Sequence, residues 1–192
     1  MPIIREYAID ALNPWKKSAA RAPFQDDPMK AIHSRWLFMA AVSGSVVIMD
    51  QVSKALIRFH ISLYHSIPVI DGFFNIVHIQ NPGGAFGFLA GHHFGLKPVF
   101  FLAGAGIAVC MLLYLYQKVP DGNRLLSFGI SLILGGAFGN MIDRIRFGRV
   151  VDFLDIYVGN LHWPAFNVAD SAVTIGGGIL VFQMILKKMP DF

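Results

Sequence analysis

Four long apolar segments constrain this chain more than any other feature: roughly Trp36 to Ile57, Pro98 to Tyr116, Leu125 to Ile142 and Val168 to Leu186. Each is close to the ~20 residues that cross about 30 Å of hydrocarbon at about 1.5 Å per residue. With 55% hydrophobic and only 15% charged residues in 192, the chain is too apolar for a soluble domain of this size. The segments predict an all-α membrane protein with four transmembrane helices.

Four crossings put both termini on one side, and the basic residues say which. Arg5, Lys16, Lys17, Arg21, Lys30 and Arg35 precede the first span, Lys118 and Arg124 lie between the second and third, and Lys187 and Lys188 follow the fourth. The opposite loops hold Lys97, Arg146 and Arg149. Short cytoplasmic segments collect Lys and Arg, so both termini are expected in the cytoplasm. Residues 1–34, mixed in charge and carrying four prolines, read as a flexible cytoplasmic leader without the apolar core and small-residue site of a cleaved secretory signal, with Met29 a second candidate start. Residues 35–186 form the membrane domain and 187–192 a cytoplasmic tail. The basic residues sit at segment ends and form no stripe, so nucleic acid is not an expected partner. The lone Cys110 has no partner for an intrachain disulfide.

This topology sends two loops outward, His60 to Lys97 and Ile145 to Asn167. Phe74-Asn-Ile-Val-His-Ile-Gln80 alternates apolar and polar residues after an Asp71-Gly72 turn signal, which predicts a hairpin or small extracytoplasmic sheet. Asn81-Pro-Gly-Gly84 breaks it, and Ala85 to Leu89 is an apolar patch suited to the bilayer interface. Gly135 and Gly139 have small-xxx-small spacing, and Gly176 to Gly178 are expected to let a neighbouring helix approach the fourth span.

Ionisable groups inside or beside apolar spans are expensive and therefore candidate functional groups. Asp50 and Lys54, four residues apart, share a helix face and read either as a structural ion pair or as part of a site. Asn140 and Arg144 repeat that spacing; Arg144 suits a snorkelling anchor, whereas Asn140 lies one turn deeper, and together they suit clamping the carbonyls of an extended peptide. Asn167 and Asp170 have the spacing of an N-cap and a first-turn acid, which by itself explains both. Asp152 lies within Val150-Val-Asp-Phe-Leu154, a run that would be buried, and a buried carboxylate needs a partner or a proton. If Asp152 and Asp170 meet, they share a proton, one acting as general base on water while the other protonates a scissile carbonyl. A proton-coupled transporter would instead spread its carboxylates across the membrane and show inverted repeats; here the charges gather at one end and no repeat is visible. No His-Glu-x-x-His helix, Cys/His cluster, Gly-x-Ser-x-Gly elbow or nucleotide-binding lysine loop is present, so no metal and no cofactor are expected.

Five ordered blocks resemble lipoprotein signal peptidase, the type II signal peptidase of bacteria: Asp50-Gln-Val-Ser-Lys54, Asn81-Pro-Gly-Gly-Ala-Phe86, Gly135-Gly-Ala-Phe-Gly-Asn140-Met-Ile-Asp143-Arg144, Val151-Asp152-Phe153 and Phe166-Asn167-Val-Ala-Asp170-Ser171. The resemblance implies an inner-membrane aspartic endopeptidase that removes signal peptides from prolipoproteins on the amino side of a diacylglyceryl cysteine. Its partners would be those substrates and membrane lipid, and it would act as a monomer. Carried over by position, Asp152 and Asp170 are the catalytic pair. Asn81, Asn140, Arg144 and Asn167 contact substrate or position the pair, and Asp50, Lys54, Asp143 and Gly83 support the site. The family's outer face carries a small sheet and an interfacial helix.

Overall fold

The computed structural model describes residues 28–82 and 97–186. The leader before Pro28, Gly83, the Ala85–Leu89 patch expected at the bilayer interface, and the tail after Leu186 lie outside the described residues, and no interfacial helix falls among the described ones. Among the described residues, four helices are long and apolar enough to cross a membrane. They are α1 (Pro28–His60), α2 (Lys97–Lys118), α3 (Arg124–Phe147) and α4 (Val168–Ile185). The first begins at Pro28, ahead of the Trp36 where the hydropathy starts the span, so helix reaches into the stretch read as leader.

Alpha3 is the central helix, and its glycines are what make it so. A Cβ added at Gly135 would lie 2.7 Å from Val46 Cβ and 2.8 Å from the Ser43 carbonyl of α1, and one at Gly139 would lie 2.7 Å from Asp50 Oδ2. On another face, Gly129 meets Ile179 at 2.7 Å and Gly136 meets the Ala169 backbone of α4. Close backbone approach at small residues is how helices associate where water supplies no driving force. Ser43 Oγ reinforces the α1–α3 contact by donating to the Ser131 carbonyl at 2.9 Å. On α4, Gly176 sits 2.5 Å from the Gly129 carbonyl, measured from its added Cβ, whereas Gly177 and Gly178 face open space. The expected close approach therefore belongs to Gly176 alone, because at helical pitch consecutive residues point about 100° apart. Large apolar side chains such as Leu37, Ile48, Ile107, Met111, Val181 and Ile185 stay exposed, as a lipid-facing surface requires.

Beyond one end of the helices lies a four-stranded antiparallel sheet in the order β1-β2-β3-β4. Its strands are β1 (Ser66–Ile70), β2 (Phe74–Asn81), β3 (Val150–Val158) and β4 (Leu161–His162). The Asp71-Gly72 hairpin forms as expected, with Gly72 at φ 79°. The second outward segment, read from sequence as a loop, contributes β3, which lies between β2 and β4. Val150 to Phe153 are all buried, so the strand shows an unbroken buried run instead of the period-two alternation that marks a half-buried strand.

If helix contact depends on these glycines, Gly136→Ala forces α3 away from the Ala169 backbone. We expect a loss of about 1–3 kcal/mol, the usual cost of overpacking, read as a lower thermal midpoint in detergent. Gly177→Ala, facing open space within the helix, should hold or raise the midpoint, since alanine favours a helix over glycine.

Candidate active site

Two chain connections decide where the polar residues go. Alpha3 stops at Gly148, whose left-handed φ of 68° suits the residue after a helix and whose N–H returns to the Arg144 carbonyl. The chain then enters β3, and the Val151 N–H donates to Asp143 Oδ2 at 3.1 Å, tying the strand to α3. Farther on, Phe166 pairs with β3: its N–H donates to the Leu154 carbonyl at 3.0 Å and its carbonyl accepts from the Phe153 and Leu154 N–H groups. The N-terminus of α4 is thereby pinned beside Asp152. Asn167 caps α4 through a capping box, its side chain accepting from the Asp170 N–H at 2.9 Å while Asp170 Oδ2 accepts from the Asn167 N–H at 3.3 Å. The capping reading of Asn167 and Asp170 is correct, and it does not exhaust their contacts.

Asp152 Oδ1 accepts from Asn167 Nδ2 at 2.7 Å and Oδ2 from Asn81 Nδ2 at 3.1 Å. Asp170 Oδ1 accepts from Asn140 Nδ2 at 2.7 Å. Asn167 Nδ2 also reaches Asn140 Oδ1 at 3.2 Å, so two amides bridge the two carboxylates. Asp152, Asp170, Asn81, Asn140 and Arg144 all line one groove of about 880 Å³, and Asn167 is fully buried behind it. Arg144, half-buried, donates to the Asn140 carbonyl at 3.3 Å and lies 5.4 Å over the Phe101 ring. Asn140 thus gives one N–H to Asp170 and its side-chain oxygen to Lys54 and Asn167, while it and Arg144 both line the groove wall.

Behind the amides lies a buried cation. Lys54 Nζ contacts Asp50 Oδ2 at 2.8 Å, Asp143 Oδ2 at 3.1 Å and Asn140 Oδ1 at 3.0 Å, which uses all three of its protons. All three charged residues are at most 2% exposed. An ammonium only donates, so it forces the Asn140 carbonyl oxygen inward and turns the amide NH₂ toward Asp170. Asp50 Oδ1 accepts the Ala169 N–H at 3.0 Å, placing a carboxylate at the N-terminus of α4, where the helix dipole favours it. The ion pair of Asp50 and Lys54 is structural, and Lys54 also bonds Asn140 on the groove wall.

Gln51 was not singled out by the sequence. Its Nε2 lies 3.1 Å from each of Asp50 Oδ2, Asp143 Oδ1 and the Gly139 carbonyl, three acceptors sharing two N–H donors, and so closes the cluster. Next to Asp50 the polar break in the span is already accounted for by the acid, and only its place inside the first block points to Gln51. The Trp163–Ala165 part of the groove wall, ahead of the block that begins at Phe166, has no sequence signal, because an irregular segment carries no periodicity.

Burial is the main force acting on Asp152, followed by the nearby charge of Asp170; the donors Asn81 and Asn167 and the Lys54 charge oppose both. The net result pushes the Asp152 carboxyl from 3.8 up to about 7. Near neutrality this carboxyl is poised to hold or release a proton.

Four membrane-crossing helices bearing a groove lined by two carboxylates are the architecture of a membrane-embedded enzyme. A solved bacterial membrane enzyme superposes with a TM-score of 0.70 at 36% identity, over 77% of this chain and 87% of that one. The signal peptidase (SPase) II family matches residues 42–186, which contain every described site residue. A lipoprotein signal peptidase of Desulforapulum autotrophicum is 52% identical over 153 residues, 80% of this chain and 94% of that protein. One of Geobacter sulfurreducens is 46% identical over 152 residues, 79% and 93% of the two chains. The chain belongs to the signal peptidase II family, and it is a membrane peptidase.

Lys54→Met leaves Asp50 and Asp143 buried without their cation. We expect a stability loss of about 3–5 kcal/mol, the range for breaking a buried pair by removing one partner, measured by denaturant unfolding in micelles. Asp152 supplies a pH test. Its folded pKa lies above its unfolded value, so the folded state holds a proton that the unfolded chain releases, and stability falls as pH rises from about 4 to about 7. Asp152→Asn does not titrate, so its thermal midpoint relative to wild type should rise between about pH 5 and about pH 8.

Proposed function

We propose that this peptidase removes signal peptides from diacylglyceryl-modified prolipoproteins, cutting on the amino side of the lipidated cysteine with water activated between Asp152 and Asp170. The observation that carries the reading is the pair of carboxylates on one groove, joined through Asn140 and Asn167. The curated relatives, named lipoprotein signal peptidases, supply the substrate class.

The pair works with one shared proton. The ionised carboxylate takes a proton from water as its oxygen attacks the scissile carbonyl, while the protonated partner gives its proton to the carbonyl oxygen. Collapse of the tetrahedral intermediate returns a proton to the leaving amine and restores the starting state. Hydrogen bonds from Asn81, Asn140 and Asn167 hold the carboxylates in place, so little reorganisation accompanies the reaction. Arg144 offers guanidinium donors to the substrate backbone from the groove wall. The groove runs from the sheet along α4 past Ser171 and Thr174 to Ile175, giving a lipidated residue a path from the peptide-binding end into the bilayer. The basic-residue distribution supports both termini in the cytoplasm and the groove near the outer leaflet of the inner membrane, with a monomer sufficient for the chemistry.

Cleavage of a diacylglyceryl prolipoprotein tests this reading. Asp152→Asn and Asp170→Asn should each lose at least about a hundredfold in kcat while still inserting; near-normal turnover by either refutes the assignment. For the free enzyme, kcat/KM should fall as pH rises through about 7, where Asp152 gives up the shared proton. Asn81→Ala removes a donor that favours the ionised form, and so should move that alkaline limb to higher pH.

A further inference from the structure

Strand β4 is only two residues long, and the chain that follows it, Trp163 to Phe166, forms one wall of the groove. Apolar packing does little to hold this stretch: Leu161 is 81% exposed and Trp163 59% exposed. Backbone hydrogen bonds to β3 fix its two ends, from the Trp163 N–H to the Ile156 carbonyl at 2.8 Å and between Phe166 and Leu154, and a polar cluster that the carboxylate pair does not use adds side-chain anchoring at His162. His162 Nδ1 lies 2.9 and 3.1 Å from the two carboxylate oxygens of Asp155, a buried residue of β3. Two acceptor oxygens facing one ring nitrogen require that nitrogen to carry the proton, so Nδ1 is the donor. Asp155 Oδ2 also accepts from Asn75 Nδ2 at 2.9 Å, which fixes the carboxylate against β2. The imidazole stacks on Tyr157 with centroids 4.8 Å apart and planes 8° apart, and the Tyr157 hydroxyl accepts the Gly72 N–H at 3.0 Å. His162 is thus held from below by a buried acid and across its face by an anchored ring, one residue before the groove wall begins.

The geometry points to Asp155 and His162 as a positioning pair that fixes the Trp163–Phe166 wall and so sets how tightly the peptide around the cleavage site is held. This role rests on the peptidase reading above. Neither residue lines the groove or contacts Asp152 or Asp170, whose anchors are Asn81, Asn140 and Asn167. A loosened wall therefore weakens substrate binding while the carboxylate pair stays in register. This separates the pair from a general structural role, which would lower kcat and stability together.

The test is steady-state cleavage of a diacylglyceryl prolipoprotein in detergent by wild type, His162→Phe, His162→Gln and Asp155→Asn, with thermal midpoints measured alongside. Phenylalanine keeps the stack on Tyr157 and loses the hydrogen bond; glutamine keeps an N–H donor. For His162→Phe, KM should rise roughly fivefold or more with kcat within about twofold, as expected for loss of a partly exposed hydrogen bond to a charged group that acts on binding. His162→Gln should recover most of the wild-type KM. Asp155→Asn keeps an oxygen that accepts from His162 but loses the charge, so it should raise KM by a smaller factor at unchanged kcat, and if His162→Phe does not fold this shift is the test. Unchanged KM in the folded variants, or a fall in kcat at constant KM, overturns the pair's role and leaves the peptidase reading intact. A wild-type protein that leaves this substrate uncut overturns both.

Discussion

The ammonium of Lys54 is the point on which the site depends. Buried with the carboxylates of Asp50 and Asp143, it holds α1 to α3 through Asp143 and Asn140, while its partner Asp50 reaches the N-terminus of α4 and Asp143 reaches the first residues of β3. Every element that carries a groove carboxylate is therefore bonded to one buried charge cluster. Such a cluster is weak evidence for net stability, since desolvation offsets much of its attraction. Its value here is direction: an ammonium has no acceptor, so the Asn140 amide can face only one way, and that orientation delivers an N–H to Asp170.

The same reasoning explains why the carboxylates lie where helices meet the sheet instead of deep among the helices. Asp152 needs strand partners, because Asn81 reaches it from β2 and the pinning of Phe166 to β3 brings Asn167 within 2.7 Å. Asp170 needs a helix start, where capping satisfies backbone donors and a carboxylate is electrostatically welcome. A junction between strand and helix N-terminus supplies both environments within one groove. Burial then raises the Asp152 carboxyl to about 7, which suits a proton shared near neutrality.

The glycines set the distances that make this possible. A side chain at Gly139 would occupy the space of Asp50 Oδ2, and one at Gly136 would displace the backbone at the start of α4. Helix packing and site geometry are thus the same constraint seen twice: α3 lies near enough to α1 and α4 for short side chains to bond across, and Gln51 spans the remaining gap between Asp50 and Asp143.

Hydropathy alone determined the four spans, because their length and apolar content leave few other folds, and alternation plus a turn signal determined the first hairpin. Asp50, Lys54, Asp143, Arg144, Asp152 and Asp170 stood out because charge inside apolar sequence marks itself, and the motif blocks added the uncharged Asn81, Asn140 and Asn167. What the sequence could not carry was pairing over long separations. Strand β3 reads as a buried run without periodicity, so its insertion between β2 and β4 was invisible until the strands were seen together. The bridge from Asp152 through Asn167 and Asn140 to Asp170, the role of Gln51, and the restriction of close approach to Gly176 are decided by tertiary structure. Each depends on which faces of separate elements meet, and no local propensity encodes that.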